Sequence, residues 1–301
     1  MDAALVELFE PPGPVDVLAT VRGVVAVRRA ADGLWWATRT TSGPATVRIA
    51  PGATPGAAVE VRGWGPGAGD AVGAVPDLIG FTDPGTYRPA DPRLLEWQRR
   101  HPGLRLGRGA GVLEALLPTI VAQKVPSIDA ARAWRRLRRA FAERAPGPAE
   151  LALPPDPRRL ARLGYADLHR FGIERRRAMP LLAACRAAPR LERLRAGGPQ
   201  RLIDGLRQFR GIGAWTATSV ARAVTGDADL VVLGDYGLPS MVAWNLAGER
   251  RADDARMLEL LAGEAPHRAR AVQLVLRCGE VPPRHGPRLR AAAAVDLAFS
   301  P

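Results

Sequence analysis

A glycine-punctuated run, Gln208-Phe209-Arg210-Gly211-Ile212-Gly213-Ala214-Trp215-Thr216-Ala217, is followed twenty-two positions after Gly213 by a carboxylate, Asp235, in Leu233-Gly234-Asp235-Tyr236. The run reads as the end of one helix, a Gly-Ile-Gly turn and the start of another. Gly211 and Gly213 supply the positive φ angles and close backbone approach that such a turn needs. Leu206 and Phe209 on one side, Ala217 and Val220 on the other, can pack the two helices together. The turn exposes consecutive backbone N–H groups, which make a cradle for phosphate. Such donors grip a nucleic-acid backbone without reading its sequence. A carboxylate at a fixed remove can then act on the nucleotide held there. A carboxylate so placed can stabilise positive charge that develops on that nucleotide and guide or deprotonate a water. Asp235 is the candidate for this role; its alternative is a loop residue capping a helix that begins near Leu238.

Other chemistry is thinly represented. Cys185 and Cys278 form no Cys-x-x-Cys pair and no cluster-ligand run, so a disulfide framework is not expected and a reducing cytoplasm is the natural setting. His101, His169, His267 and His285 are dispersed without metal-ligand spacing, and no catalytic metal is expected. Gly63 to Gly69 is glycine-rich, yet it leads from no strand into a nucleotide-binding fingerprint and reads as a structural turn. The first residues carry no basic, apolar leader pattern, and no apolar run is long enough to span a membrane.

The elements that must position the site follow from composition and periodicity. The 301 residues carry a net charge of +13 and are 47% hydrophobic. That charge is unevenly placed: residues 1–95 hold 8 Arg against 10 Asp/Glu, whereas residues 96–301 hold 35 Lys/Arg against 20 Asp/Glu. The positive field thus belongs to the part with the glycine turn, as expected of a partner for a polyanion. Arg135-Arg136, Arg138-Arg139 and Arg175-Arg176-Arg177 read chiefly as solvated helix faces. Residues 1–75 look β-rich, with short runs at Asp16–Val21, Val24–Val27, Leu34–Thr38, Ala45–Ile49 and Ala58–Val61, suggesting a small sheet with hairpins. From about residue 91 the apolar spacing becomes helical. Val112, Leu113, Leu116, Leu117, Ile120 and Val121 share one helix, and Ala130, Ala133, Trp134, Leu137 and Phe141 another. Further helices are expected near 157–163, 174–187, 199–209, 214–225, 238–247, 254–262 and 267–278.

The glycine turn with its Asp-Tyr pair resembles the helix-hairpin-helix DNA glycosylase superfamily, and most nearly its 3-methyladenine glycosylase II branch. His101-Pro102-Gly103-Leu104-Arg105-Leu106, Ala115–Val125 and Pro266-His267-Arg268-Ala269 extend the resemblance, which covers roughly residues 90–280 well and 1–90 loosely. It implies a mainly α fold with an N-terminal α+β region. Residues 1–90 would form a β-rich accessory domain, 91–285 an all-α core of two lobes with the active-site cleft between them, and 286–301 a tail. It implies a monomeric, monofunctional DNA N-glycosylase that flips a damaged, alkylated purine out of double-stranded DNA and excises it by hydrolysis in base-excision repair. A non-catalytic protein that binds lesions or bent DNA is the alternative. Asp235 takes the catalytic place. Trp215 walls the base pocket with Tyr236, Gln123, Ser219 and Leu276. Gly211, Ile212, Gly213, Thr216, His267 and Arg268 contact DNA, and Leu106, or Leu104, is the wedge that fills the gap left by the flipped base. Where the branch has further pocket aromatics, this chain has Ser219, Leu276 and Arg277. Relatives with lyase activity carry a Schiff-base lysine just after the hairpin, where this chain has Trp215; its only lysine is Lys124, so hydrolysis without strand cleavage is expected. No iron–sulfur loop is present, and the resemblance allows a monovalent cation on hairpin carbonyls.

Overall fold

The computed structural model describes residues 4–22, 24–52, 56–109 and 111–283; His285 and the tail expected at 286–301 lie outside them. The N-terminal part is an antiparallel five-stranded sheet of β1 (Leu5–Phe9), β2 (Arg28–Ala30), β3 (Gly33–Arg39), β4 (Pro44–Ala50) and β5 (Val59–Trp64), in the order β1-β5-β4-β3-β2. Its register sets Trp36 opposite Val47 and Val47 opposite Gly63. One face buries Trp36, Val47, Ile49 and Val61 against α2 (Ala68–Gly73) and α3 (Val75–Leu78). Gly63 is glycine for packing, since a Cβ there would lie 2.5 Å from Val72 Cγ2. The glycine-rich stretch from Gly63 is therefore a strand end turning into a helix.

Asp16–Val21, expected as a strand, is instead the helix α1 (Val17–Val21). Asp16 accepts the Ala19 N–H at 2.9 Å, and Val17, Thr20 and Val21 are buried. A side-chain cap is worth about 1 kcal/mol, and with burial it outweighs the helix penalty of β-branched residues, at most about 0.7 kcal/mol each. Val24–Val27 forms no strand, and β1 was not foreseen.

The rest is helical: α4 (Pro92–Arg100), α5 (Val112–Val121), α6 (Ser127–Ala140), α7 (Pro157–Leu160), α8 (Tyr165–His169), α9 (Arg175–Arg186), α10 (Ala188–Leu194), α11 (Gly198–Arg207), α12 (Ala214–Thr225), α13 (Leu238–Ala247), α14 (Asp254–Leu260) and α15 (Arg268–Cys278). The helices bury two further apolar clusters. One gathers Leu116, Ile120, Leu137, Leu181, Leu206 and Val220 from α5, α6, α9, α11 and α12. The other gathers Leu94, Leu238, Val242, Met257 and Val272 from α4, α13, α14 and α15.

Carboxylates stitch these parts together. Glu114 on α5 accepts from Trp36 Nε1 and Thr38 Oγ1 on β3, each at 3.0 Å. Glu264 accepts from the Tyr87 hydroxyl at 2.7 Å and from the Ala90 and Asp91 N–H groups. Asp83 and Arg270, with side chains 2% and 9% exposed, form a two-pronged pair at 2.5 Å. Asp83 also accepts from the N–H groups of Leu106 and Gly85. Burial alone would raise the Asp83 carboxyl, but the hydrogen bonds from Arg270 and those two amides outweigh it and hold it below its usual range.

A carboxyl held low in the folded state adds stability above its unfolded pKa of about 3.9 and loses it as pH falls through the folded value. Asp83→Asn should cost about 3–5 kcal/mol at neutral pH, because Arg270 is left buried and unpaired. Urea unfolding would show the gap to wild type closing below about pH 4; equal midpoints at pH 7 would contradict it.

Candidate active site

The glycine turn between α11 and α12 is built around Ile212, whose side chain is 5% exposed in the cluster with Leu206 and Val220. Burying an isoleucine contributes roughly 1.5–3 kcal/mol, so the turn is anchored from within. Gly211 sits at φ +90°, and a Cβ there would lie 3.0 Å from Pro180 Cγ on α9. Gly213, expected at positive φ, is at φ −93° with ψ −173°. It is glycine without conformational need, exposed, with open space where a Cβ would stand. α12 begins there with no side-chain cap. The first N–H groups of a helix lack partners within it, so the start of α12 offers donors and a positive dipole end to an anion.

Gln123, just past the end of α5, clamps this turn. Its Nε2 donates to Gly211 O at 2.9 Å and to Thr216 Oγ1 at 2.8 Å. Both amide hydrogens are thereby spent on the hairpin rather than offered to a base. Lys124 follows, exposed and at φ +52°.

Asp235 lies between the two helical clusters. Its Oδ2 accepts from Trp215 Nε1 at 2.9 Å, on the first turn of α12. Its Oδ1 accepts from the Gly237 and Leu238 N–H groups, each at 2.8 Å, at the start of α13. The helix-capping alternative and the Trp215 contact are therefore both present, one on each oxygen. The loop before it is pinned as well: Leu233 N–H donates to Thr218 Oγ1 and Gly234 N–H to Asp254 Oδ2 at 2.7 Å. Gly234 takes φ +75°. The result is a partly exposed carboxylate with fixed orientation beside an indole and a few residues from free helix-start amides.

The other expected site residues distribute differently. Tyr236 is fully exposed and walls no enclosed pocket. Ser219 is half-buried on α12, and Leu276 on α15 packs against the cluster of α4 and α13–α15. Thr216 is buried. Leu106, the expected wedge, is 5% exposed, its N–H bound to Asp83, so its side chain is not presented; Leu104 packs at the edge of the cluster of α4 and α13–α15. Arg268 is held by Asp229, at 2.8 Å to Oδ1 and 2.5 Å to Oδ2, and that contact lowers the Asp229 carboxyl. Asp227 and Asp229, expected as a solvated turn, thus hold Arg268 and the turn itself. His267 packs its ring 5.2 Å from Tyr87. Arg177, expected on a solvated face, is 3% exposed and donates to Val121 O at 2.7 Å and Gly172 O at 3.0 Å. Of the hairpin carbonyls, Phe209 accepts the Ile212 N–H and Gly211 the Gln123 amide. Among the described residues no group of three or more His, Cys, Asp or Glu could hold a metal, and no helix is long and apolar enough to cross a membrane.

No protein-family model and no curated protein matches the sequence. The structure is similar to the 3-methyladenine DNA-glycosylase from Archaeoglobus fulgidus, with a TM-score of 0.75 at 18% identity over 89% of this chain and 96% of that one. It is also similar to the apo form of the 8-oxoguanine glycosylase/lyase from Clostridium acetobutylicum, with a TM-score of 0.65 at 13% identity over 91% and 99%. The same enzyme with double-stranded DNA gives 0.61 at 13% over 92% and 99%. The chain therefore has the fold of DNA glycosylases, mainly helical with an N-terminal antiparallel sheet.

Removing the clamp tests the turn's construction. Gln123→Met should cost about 1–3 kcal/mol, because the Gly211 carbonyl and the buried Thr216 hydroxyl lose their donor. Amide exchange should quicken at Ile212–Ala214 and stay unchanged in α13; an unchanged turn would contradict the clamp.

Proposed function

We propose that this protein is a monofunctional DNA N-glycosylase that flips a damaged, alkylated purine from duplex DNA and hydrolyses its N-glycosidic bond, opening base-excision repair. The observation that carries this reading is the Asp235 carboxylate, oriented by Trp215 and by the start of α13 beside the uncapped end of α12. The fold shared with alkyladenine and 8-oxoguanine glycosylases supports it, as does the excess of 35 Lys/Arg over 20 Asp/Glu in residues 96–301.

The free amides of the hairpin take a backbone phosphate, and Gly213, with no side chain in the way, lets it approach. A base turned out of the stack lies against the Trp215 ring, whose Nε1 is already given to Asp235. A π face favours an electron-poor, cationic base over a neutral one. As the C1′–N bond breaks, the base keeps the electron pair and positive charge gathers on the sugar, facing Asp235. Water attacks C1′ and yields its proton to the carboxylate. A base cationic at the start leaves neutral, so no general acid is required. Tyr236, standing in solvent, offers a second aromatic face beside the site. Trp215 stands where a Schiff-base lysine would be needed, so the proposed reaction ends at the abasic site. The chain acts as a monomer. The two capping bonds on Asp235 favour the alternative, a non-catalytic binder of lesions or bent DNA, since a cap needs no chemistry.

Incubation with methylated duplex DNA should release free 3-methyladenine or 7-methylguanine, resolved by chromatography. Asp235→Asn should slow release by about 10²–10³-fold or more while DNA affinity persists; release at the wild-type rate would remove Asp235 from the mechanism. Borohydride should trap no protein–DNA adduct, and a stable adduct would show a lyase instead. DNA affinity should fall linearly with salt on logarithmic axes as counterions are released; a flat response would count against DNA as the partner.

A further inference from the structure

We infer that Asp254, in the first turn of α14, is a positioning residue for Asp235 and acts through the Gly234 peptide; its consequence for rate rests on the glycosylase reading. The Asp235 side chain is bound by α12 and α13. The backbone just before it has a third anchor. Asp254 Oδ2 accepts the Gly234 N–H at 2.7 Å, across twenty residues of sequence.

The conformation of Gly234 makes this contact decisive. It stands at φ +75°, and glycine enters that region about as readily as it takes negative φ. Sterics therefore do not choose the path of the chain into Asp235. Crowding does not choose it either: a Cβ on Gly234 would meet Trp215 Cβ and N at 3.5 Å, ordinary contact. Hydrogen bonding is what remains. Leu233 N–H is held at 3.2 Å by Thr218 Oγ1, which itself donates to Ala214 O at the start of α12. Gly234 N–H is held by Asp254, and this is the shorter of the two bonds, as expected of an ionised acceptor.

The cap of α14 does not need Asp254. Its neighbour Asp253 supplies that, accepting the Arg256 N–H at 2.9 Å. Half-buried, Asp254 stands on a fixed platform. Met257 of α14 is fully buried, Arg256 grips Glu249 just past the end of α13 at 2.6 Å, and Ala252 N–H donates to Ser240 Oγ of α13 at 3.3 Å. Asp254 is thus fixed to the same α13 whose first amides hold Asp235 Oδ1. Three helices locate the carboxylate: α12 through Oδ2, α13 through Oδ1 and α14 through the peptide before it. Without the third, the Leu233–Gly234 peptide can rotate and the carboxylate shifts against Trp215. A misplacement on the order of 1 Å costs about 10²-fold in rate.

The competing use of Asp254 is as a negative charge facing the dipole of α14. Asp254→Ala and Asp254→Asn both remove that charge, and only asparagine keeps an oxygen for the Gly234 N–H. The difference between the two variants therefore reads the contact itself. In the protein without DNA, hydrogen exchange at the Trp215 indole N–H, assigned by its loss in Trp215→Phe, reports whether Asp235 is in place. Asp254→Ala should quicken it about tenfold or more, and Asp254→Asn should stay near wild type. On methylated duplex DNA, the single-turnover rate at saturating protein should fall about 10–10²-fold in Asp254→Ala, with duplex affinity unchanged. Asp254→Asn should recover most of that rate. Unchanged indole exchange or wild-type excision in Asp254→Ala would overturn the assignment. Equal losses in both variants would also overturn it and leave Asp254 as a dipole charge of α14. If the wild-type protein releases no base, the glycosylase reading fails alone, and indole exchange still decides the positioning.

Discussion

The Asp235 carboxylate is held from two directions, and the geometry around it depends on that sharing. Trp215 reaches it from α12, which packs with α5 and α11; the Gly237 and Leu238 amides reach it from α13, which packs with α14 and α15. Hydrogen bonds to a charged acceptor contribute about 1.5–3 kcal/mol each, enough to favour one relative placement of the helices. The contacts that fix the carboxylate therefore also fix the distance from α13 to the free amides at the start of α12. A carboxylate held this way need not reorganise as charge develops on a sugar, which is how preorganised electrostatics lowers a barrier.

Elsewhere the chain spends its carboxylates on assembly. Glu114 joins α5 to the sheet, Asp83 holds Arg270, Glu264 gathers Tyr87, Ala90 and Asp91, and Asp254 pins Gly234. These four carboxylates are committed to junctions. Many arginines remain on the surface, as along α6, where Arg132, Arg135, Arg136 and Arg139 are exposed. A positive exterior over a tied framework suits attraction of a polyanion without loss of fold.

Elements with strong local signals were legible in the sequence. Helices 214–225 and 238–247 were expected with the bounds observed, since apolar spacing, a glycine before and a glycine after all agree. The β3, β4 and β5 strands were legible because aromatic and β-branched residues run between glycine and proline turns. The valine run of α1 misled because one aspartate and a buried face reversed its propensity. Contacts between distant residues were not legible at all. Nothing local shows that Gln123 reaches Gly211, that Arg268 belongs to Asp229, or that Leu106 turns inward while Tyr236 stands in solvent. These follow from how helices pack, and they redistribute residues that motif position alone would gather into one pocket.

The central claim is that Asp235 does chemistry beyond capping α13, and Asp235→Ser separates the two roles. Serine is a good helix-capping residue but carries no charge to stabilise a cationic sugar. The decisive measurement is the single-turnover rate of base excision by Asp235→Ser on methylated duplex DNA, read beside its unfolding midpoint. The account predicts a variant that stays folded, its midpoint lowered only by loss of the Trp215 bond, with excision lost. Excision at the wild-type rate would contradict it and leave Asp235 as a structural cap.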